Sequence, residues 1–436
     1  MAKGDSSKQS LLLDYLASPP AGIFSRPFDI YARGERPRIS ISRIRANLTR
    51  LAMPSGIHCA PKVQAGGTGL THEDAHLPAI SEALERYCTS VYSENQFLLA
   101  SAANMEWNCV DLDSVPRCSA TELAHPRCPL IAPSKETPIR WVKGVELTGK
   151  EIRYVPAIMV YSHLREVLPA ERFWFPISTG CAAHFDLNKA LINAIFEVIE
   201  RDAISVTWLR ELHLPKIVID KIPAELAQHW DLYLNSSSTV KYDFYNATTD
   251  LGIPTVYGLR IAPYSEHART LVACSTASTT AEAMRKVLCD LISLSTVFKR
   301  PLEHPDRPED CRDLTHGAAY MAHAKHEESF NFLRQNGREV NLTELELTQD
   351  SEWDLDALLE RMQSRGMSVY AMDLTTDEAR QVNMKVFRVV IPELMPLSFS
   401  YLARFLGHTR LYSPSLRSLS KVCNESDVNV FPQPFA

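Results

Sequence analysis

Hydrophobic positions along the chain follow two periods, and the helical one repeats. In residues 190–206, ALINAIFEVIERDAISV, the apolar residues Ala190, Leu191, Ala194, Ile195, Val198 and Ile199 recur at the steps of one helix face. Residues 75–91, AHLPAISEALERYCTSV, carry the same face. Aligning Glu82 with Glu197 sets an offset of 115 residues (197 minus 82). At that offset Ala75/Ala190, Ala79/Ala194, Ile80/Ile195, Glu85/Glu200, Arg86/Arg201, Ser90/Ser205 and Val91/Val206 coincide. A fainter third copy begins at Ala283, with Asp290 at the first acidic position and Ser293 at the second. Similarity on this scale predicts duplicated structural units.

Between these helices the period is closer to two. Residues 22–50 alternate like strands, and residues 65–69, AGGTG, read as a tight loop into the first repeated helix. Runs 140–145 and 154–161 flank Thr148-Gly149 as a hairpin. Thr68-Gly69 and Thr179-Gly180 precede the two repeated helices in the same way. A strand at 216–219, a helix at 223–234 and strands at 241–246 and 255–259 follow, then the third helix at 281–298 behind a run of capping hydroxyls. Residues 300–341, charged and broken by Pro301, Pro305 and Pro308, read as a mobile insertion. A helix at 355–365 and strands at 368–374 and 386–391 return the chain to the core. The end, FPQPFA, can be neither helix nor central strand. This order predicts an α+β fold in three parts: an N-terminal extension, 1–60, flexible at its start; a core, 61–430; and a proline-containing tail, 431–436.

Composition narrows the function classes. A chain of 436 residues with 45% hydrophobic and 22% charged content has the makings of a large core and is not disordered. A formal charge of −6 with no basic cluster gives no reason to expect nucleic acid as a partner. No apolar run has bilayer-spanning or signal-peptide length, so no membrane association is expected and the expected location is cytoplasmic. The ten cysteines include no CxxC pair and read as reduced and structural. Cys118, His125 and Cys128 lack a fourth ligand at zinc spacing.

The chemistry lies in the repeated acids. A single ExxER motif usually decorates an exposed helix. Its repetition beside the same small residues points to a shared task. Glu82, Glu85, Glu197 and Glu200 offer hard oxygen ligands suited to Mg²⁺, which, when held by few carboxylates, commonly also holds phosphates. The residues alone therefore predict a nucleotide–Mg²⁺ site between pseudo-equivalent helices.

Five segments together resemble the YcaO family: STG-x-AA from Ser178 to Ala183, EVIERDA from Glu197 to Ala203, GTGLT…EALERY from Gly67 to Tyr87, VFRVVIPELMPL from Val386 to Leu397, and the terminal PQPFA. Within it the chain looks like the azoline-forming cyclodehydratase component of ribosomal peptide natural-product biosynthesis, over residues 60–436. The resemblance implies duplicated helix and sheet units around a nucleotide-binding cavity, with ATP and Mg²⁺ as cofactors. It implies that a Cys, Ser or Thr side chain of a precursor peptide adds to the preceding carbonyl, whose oxygen is then phosphorylated and lost as a thiazoline or oxazoline forms. Position by position, Glu82, Glu85, Glu197 and Glu200 match the acids that bind metal and nucleotide. Ser178, Arg86, Arg201 and Arg285 match nucleotide contacts, and Pro432, Pro434 and the carboxylate of Ala436 match the tail that assists catalysis.

The family pattern is not followed everywhere. Pro78 stands where Ser is usual, Lys189 where an acid is common, Thr68 where Lys is common, Asp290 and Ser293 where Glu and Gln are expected, and Ala436 where PxPxP has its third proline. All four acids remain. As partners the resemblance implies a precursor peptide, an E1-like leader-binding protein within an oligomeric complex, and an accompanying flavin-dependent dehydrogenase. The competing readings are another YcaO reaction, forming a thioamide or amidine, and a non-catalytic scaffold.

Overall fold

The computed structural model describes residues 15–17, 22–31, 40–47, 62–105, 108–230, 239–347, 353–419 and 424–435. Three helices set its plan: His72–Cys88, Leu187–Arg210 and Thr280–Val297. Each opens on a side-chain cap. Thr71, Asp186 and Thr279 accept from the backbone N–H of Asp74, Lys189 and Glu282, satisfying donors that a helix start leaves unpaired. Glu82, Glu197 and Asp290 each lie ten positions past the first helical residue (72 to 82, 187 to 197, 280 to 290). The faint third copy is therefore a structural counterpart of the other two. Pro78 sits in the second turn of the first helix, so the Asp74 carbonyl has no N–H to accept there.

Strands β1 (Phe28–Tyr31), β2 (Ser40–Asn47) and β3 (Lys62–Gly69) form an antiparallel sheet against the first helix. The expected loop at residues 65–69 is thus the end of a strand. Its glycines serve packing: a Cβ on Gly67 would lie 2.1 Å from the Ala75 carbonyl oxygen, so only glycine lets strand and helix approach this closely. Strands from either side of residue 60, β2 and β3, thus pair in this sheet.

Further along come β4 (Leu98–Ala100), β5 (Ile139–Glu146), β6 (Glu151–Pro156) and β7 (Cys181–His184). They are followed by β8 (Lys216–Val218), β9 (Lys241–Asn246), β10 (Thr255–Ile261) and β11 (Thr270–Thr276). The last are β12 (Glu339–Asn341), β13 (Tyr370–Asp373) and β14 (Lys385–Val390). One sheet runs β4-β5-β13-β14-β7, with β6 paired to β5; the other runs β11-β10-β9-β8-β12. The predicted hairpin is present, but its second strand stops at Pro156 and Ala157–Val160 turns helical. β11 was not foreseen.

The second helix packs on β7 and β14, and the third on β10 and β11. Each helix also meets the strand that opens the next unit: the first meets β7, the second β11 and the third β3, closing a ring of three α+β units. Residues 300–341, expected to be mobile, run in regular structure among the described residues. They include the helix Leu314–Ala322, bury Met321, Phe330 and Leu333, and lay β12 parallel to β8. The tail is likewise packed. Pro432, Gln433, Pro434 and Phe435 are buried, Trp208 Nε1 donates to the Phe431 carbonyl (3.2 Å), and the Phe435 ring meets Tyr257 edge-on. Ala436 lies outside the described residues. No helix among them is long and apolar enough to cross a membrane.

Candidate functional site

The first acids of the two ExxER helices are held alike. Glu82 Oε2 accepts from the backbone N–H of Gly66 (2.7 Å) while Oε1 pairs with Arg86 Nη2 (2.5 Å). Glu197 Oε2 accepts from Gly180 N–H (3.0 Å) while Oε1 faces Arg201 Nη2 (3.4 Å). By this bonding the counterpart of Gly180 is Gly66, not Gly69.

The second acids reach across the ring. Glu85 Oε1 accepts from Ala183 N–H on β7 (2.8 Å), and Glu200 Oε2 from Thr276 N–H on β11 (3.1 Å). Arg201 Nη1 lies 3.2 Å from Glu200 Oε1, so it bridges both acids of its helix. Asp202, next in the motif, has a different task. Fully buried, it accepts from Met395 N–H (2.9 Å) and pairs with Arg410 (2.8 Å), fastening this helix to the segment after β14.

Electrostatics tie the acids together. Burial, opposed by the Ala183 hydrogen bond and reinforced by Glu197 and Glu82, holds Glu85 well above the usual carboxylate range. Burial also raises Glu200, with Glu197 adding to it. Asp290 is pushed up to about 7 by burial, then by Glu200, against the pull of Arg201 and Lys286. The Asp290 side chain is accessible to water. Such a constellation favours a bound cation, because Glu85, Glu200 and Asp290 are each disfavoured as anions by a neighbouring acid's charge. Among the described residues no three His, Cys, Asp or Glu side chains are grouped so as to hold a metal ion by themselves, Cys118, His125 and Cys128 included. The acids suit Mg²⁺ that completes its shell with phosphates and water, the common arrangement for this ion.

A cavity of about 440 Å³ opens between the first two helices. Of the sequence-predicted residues, Glu82, Glu85, Arg86, Ser178, Glu197 and Arg201 line it. Glu200 lies behind Arg201. Arg285 is turned to Cys289 and His229, whereas its neighbour Lys286 acts, with Arg201, on Glu200 and Asp290. Pro432 and Pro434 do not line the cavity, but the tail meets its wall. Gln433 Oε1 accepts from Ser398 N–H (2.5 Å), between the lining residues Leu397 and Phe399, and Gln433 Nε2 donates to Ser205 Oγ (3.2 Å), one turn beyond Arg201. His163, which carries no sequence motif, also lines the cavity.

Residues 66–395 match the family model described as YcaO cyclodehydratase, ATP- and Mg²⁺-binding. The chain belongs to this family. Its cofactors are ATP and Mg²⁺, and its fold is the YcaO fold. A solved heterocyclase in complex with substrate and cofactor superposes with a TM-score of 0.79 at 18% identity, over 99% of this chain and 57% of that one. This YcaO chain therefore spans little more than half the length of that heterocyclase. YcaO from Methanopyrus kandleri, bound with AMPPCP and Mg²⁺, matches with a TM-score of 0.62 at 18% identity, over 89% of this chain and 91% of that one. The E. coli microcin synthetase McbBCD complex with pro-MccB17 bound contains a chain that matches with a TM-score of 0.61 at 16% identity, over 97% of this chain and 98% of that one.

Proposed function

We propose that this protein uses Mg–ATP to convert Cys, Ser or Thr residues of a ribosomally made precursor peptide into thiazoline or oxazoline rings. The observation that carries the reading is the repeated clamp, a glycine N–H and an arginine on one glutamate, presented twice to one cavity with a proline-containing tail docked on its wall. Closing the ring requires expelling an amide oxygen, a poor leaving group until it is phosphorylated. Phosphoryl transfer calls for positioning and charge neutralisation rather than a protein nucleophile.

In this account Glu82, Glu85, Glu197 and Glu200 hold the metal, with Asp290 as the third unit's acid. The metal's contribution is to neutralise the phosphates. Arg86 and Arg201 steer the carboxylates and meet phosphate charge, and Ser178 supports the nucleotide from the turn before β7. The tail, seated between Ser205 and Ser398, shapes the wall against which the peptide is modified. A separate E1-like subunit supplies leader recognition, consistent with the pro-peptide in the E. coli microcin synthetase complex. A flavin-dependent dehydrogenase would act on the product.

The test combines the full chain, its leader-binding partner and a Cys- and Ser-containing precursor peptide with Mg–ATP. Phosphate release matched by the loss of one water from the peptide per phosphate is the expected result. Phosphate release with an unchanged peptide mass would overturn the azoline assignment while leaving ATP chemistry intact.

A further inference from the structure

His163 stands in the cavity with its ring already oriented. It follows the helical turn Ala157–Val160, and the backbone N–H of Ser162 is anchored to the Thr89 carbonyl at the end of the first helix (2.9 Å). Its Nδ1 lies 2.9 Å from Ser90 Oγ, and that hydroxyl donates its single proton to the Arg86 carbonyl (2.9 Å). The network therefore assigns Nδ1 as the protonated nitrogen, donating to Ser90, and leaves the lone pair on Nε2.

The duplication gives this contact a partner. Ser90 and Ser205 are equivalent in the two repeats. Ser205 holds Gln433 of the tail, and Ser90 holds His163. The two attachments thus sit at equivalent repeat positions, Ser90 just past the end of the first helix and Ser205 within the second. Burial, and then the Arg86 charge, keep the imidazole below its ordinary pKa and hence neutral near pH 7. The other charged groups on the cavity wall are Glu82, Glu85, Glu197 and Arg201.

We propose that His163 is the general base of this site, its Nε2 accepting the proton of the peptide thiol or hydroxyl as that group adds to the neighbouring carbonyl carbon. The inference rests on the reading under Proposed function. As the new S–C or O–C bond forms, the carbonyl π pair moves onto oxygen, and the oxyanion takes the γ-phosphoryl group of ATP with release of ADP. Departure of phosphate and loss of the amide N–H proton to bulk water then create the C=N bond. The imidazolium returns its proton to the departing phosphate, so one ATP becomes ADP and phosphate for each water removed. Ser90 is a positioning residue in this scheme.

The test compares wild type with His163→Gln and Ser90→Ala in the full chain with its partner. It measures Mg–ATP binding calorimetrically and ring formation by mass across pH, on Cys and Ser versions of one precursor peptide. General-base removal is expected to slow ring formation by about 100-fold or more, with Mg–ATP binding retained. The loss should be greater for the Ser peptide. A thiol of pKa about 8.5 ionises unaided as pH rises, whereas a hydroxyl does not. In wild type the rate should climb as His163 loses its proton, and this limb should vanish in His163→Gln. Ser90→Ala should show a smaller loss with the limb kept. A wild-type rate and pH profile in His163→Gln would overturn the proposal. Joint loss of Mg–ATP binding and ring formation would overturn it in favour of a nucleotide-site role. If wild type itself consumed ATP without forming rings, both this inference and the functional reading would fall.

Discussion

The first and second repeated helices hold their leading glutamates through the same two kinds of partner and differ in what surrounds them. Gly66 and Gly180 both give an N–H to the acid, and Arg86 and Arg201 both take its other oxygen. Beyond that the units diverge. Gly180 adopts a φ of +79°, and an added Cβ would lie 2.4 Å from the Val389 carbonyl oxygen, whereas at Gly66 the nearest atom would be 3.7 Å away. Ser90 holds a histidine and Ser205 holds the tail. Duplication has kept the charge geometry that a nucleotide and a metal need while freeing the periphery for other work.

The largest effect should come from breaking the shared element. Glu197→Gln removes a carboxylate while keeping its shape, and phosphate release is expected to fall about 1,000-fold with far-UV circular dichroism unchanged. Turnover at the wild-type rate would sink the metal assignment.

The glycines sharpen the contrast between units. Gly180→Ala combines left-handed backbone strain with a backbone clash and should cost roughly 2–4 kcal/mol in denaturant unfolding. Gly66→Ala should cost about 0.5 kcal/mol or less. Equal costs would mean that the two clamps are built alike after all.

The tail contact comes next. Gln433→Ala strands the Ser398 N–H and should cost about 1–3 kcal/mol, lowering ring formation more than Mg–ATP affinity. Proportionate losses of both would make the tail a purely structural strap.

The third unit should respond most quietly. Asp290, held near 7 when folded against 3.8 otherwise, binds more protons folded than unfolded across that window. Its contribution to metal-free stability therefore falls as pH rises from about 4 to 7. Asp290→Asn should flatten that decline in melting temperature, and an unaltered slope would show that Asp290 is not crowded by the other acids.

Much of the site was legible in the sequence because it is local. Acids three apart on an apolar helix, repeated at a fixed offset, declare a shared face. The third unit was fainter because only its first acid survives, yet Asp290 keeps its place in the helix. The strand ending at Gly69 was hidden, since glycines that permit close helix packing look like glycines that make turns. Residues 300–341 misled in the same way, because their charge and prolines masked the apolar positions that bury Met321, Phe330 and Leu333. His163 had no local signal at all. Its significance comes from Ser90, 73 residues away, just as the buried pairing of Arg410 with Asp202 joins positions 208 apart.

The central claim is that both clamps serve one Mg–ATP site, and calorimetric titration of Mg–ATP into wild type, Glu82→Gln, Glu197→Gln and the double variant tests it most directly. The account predicts one nucleotide per chain, severe loss in either single variant, and little further loss in the double, because groups acting on one ligand are not additive. Two nucleotides per chain, or single-variant losses that simply add, would contradict it.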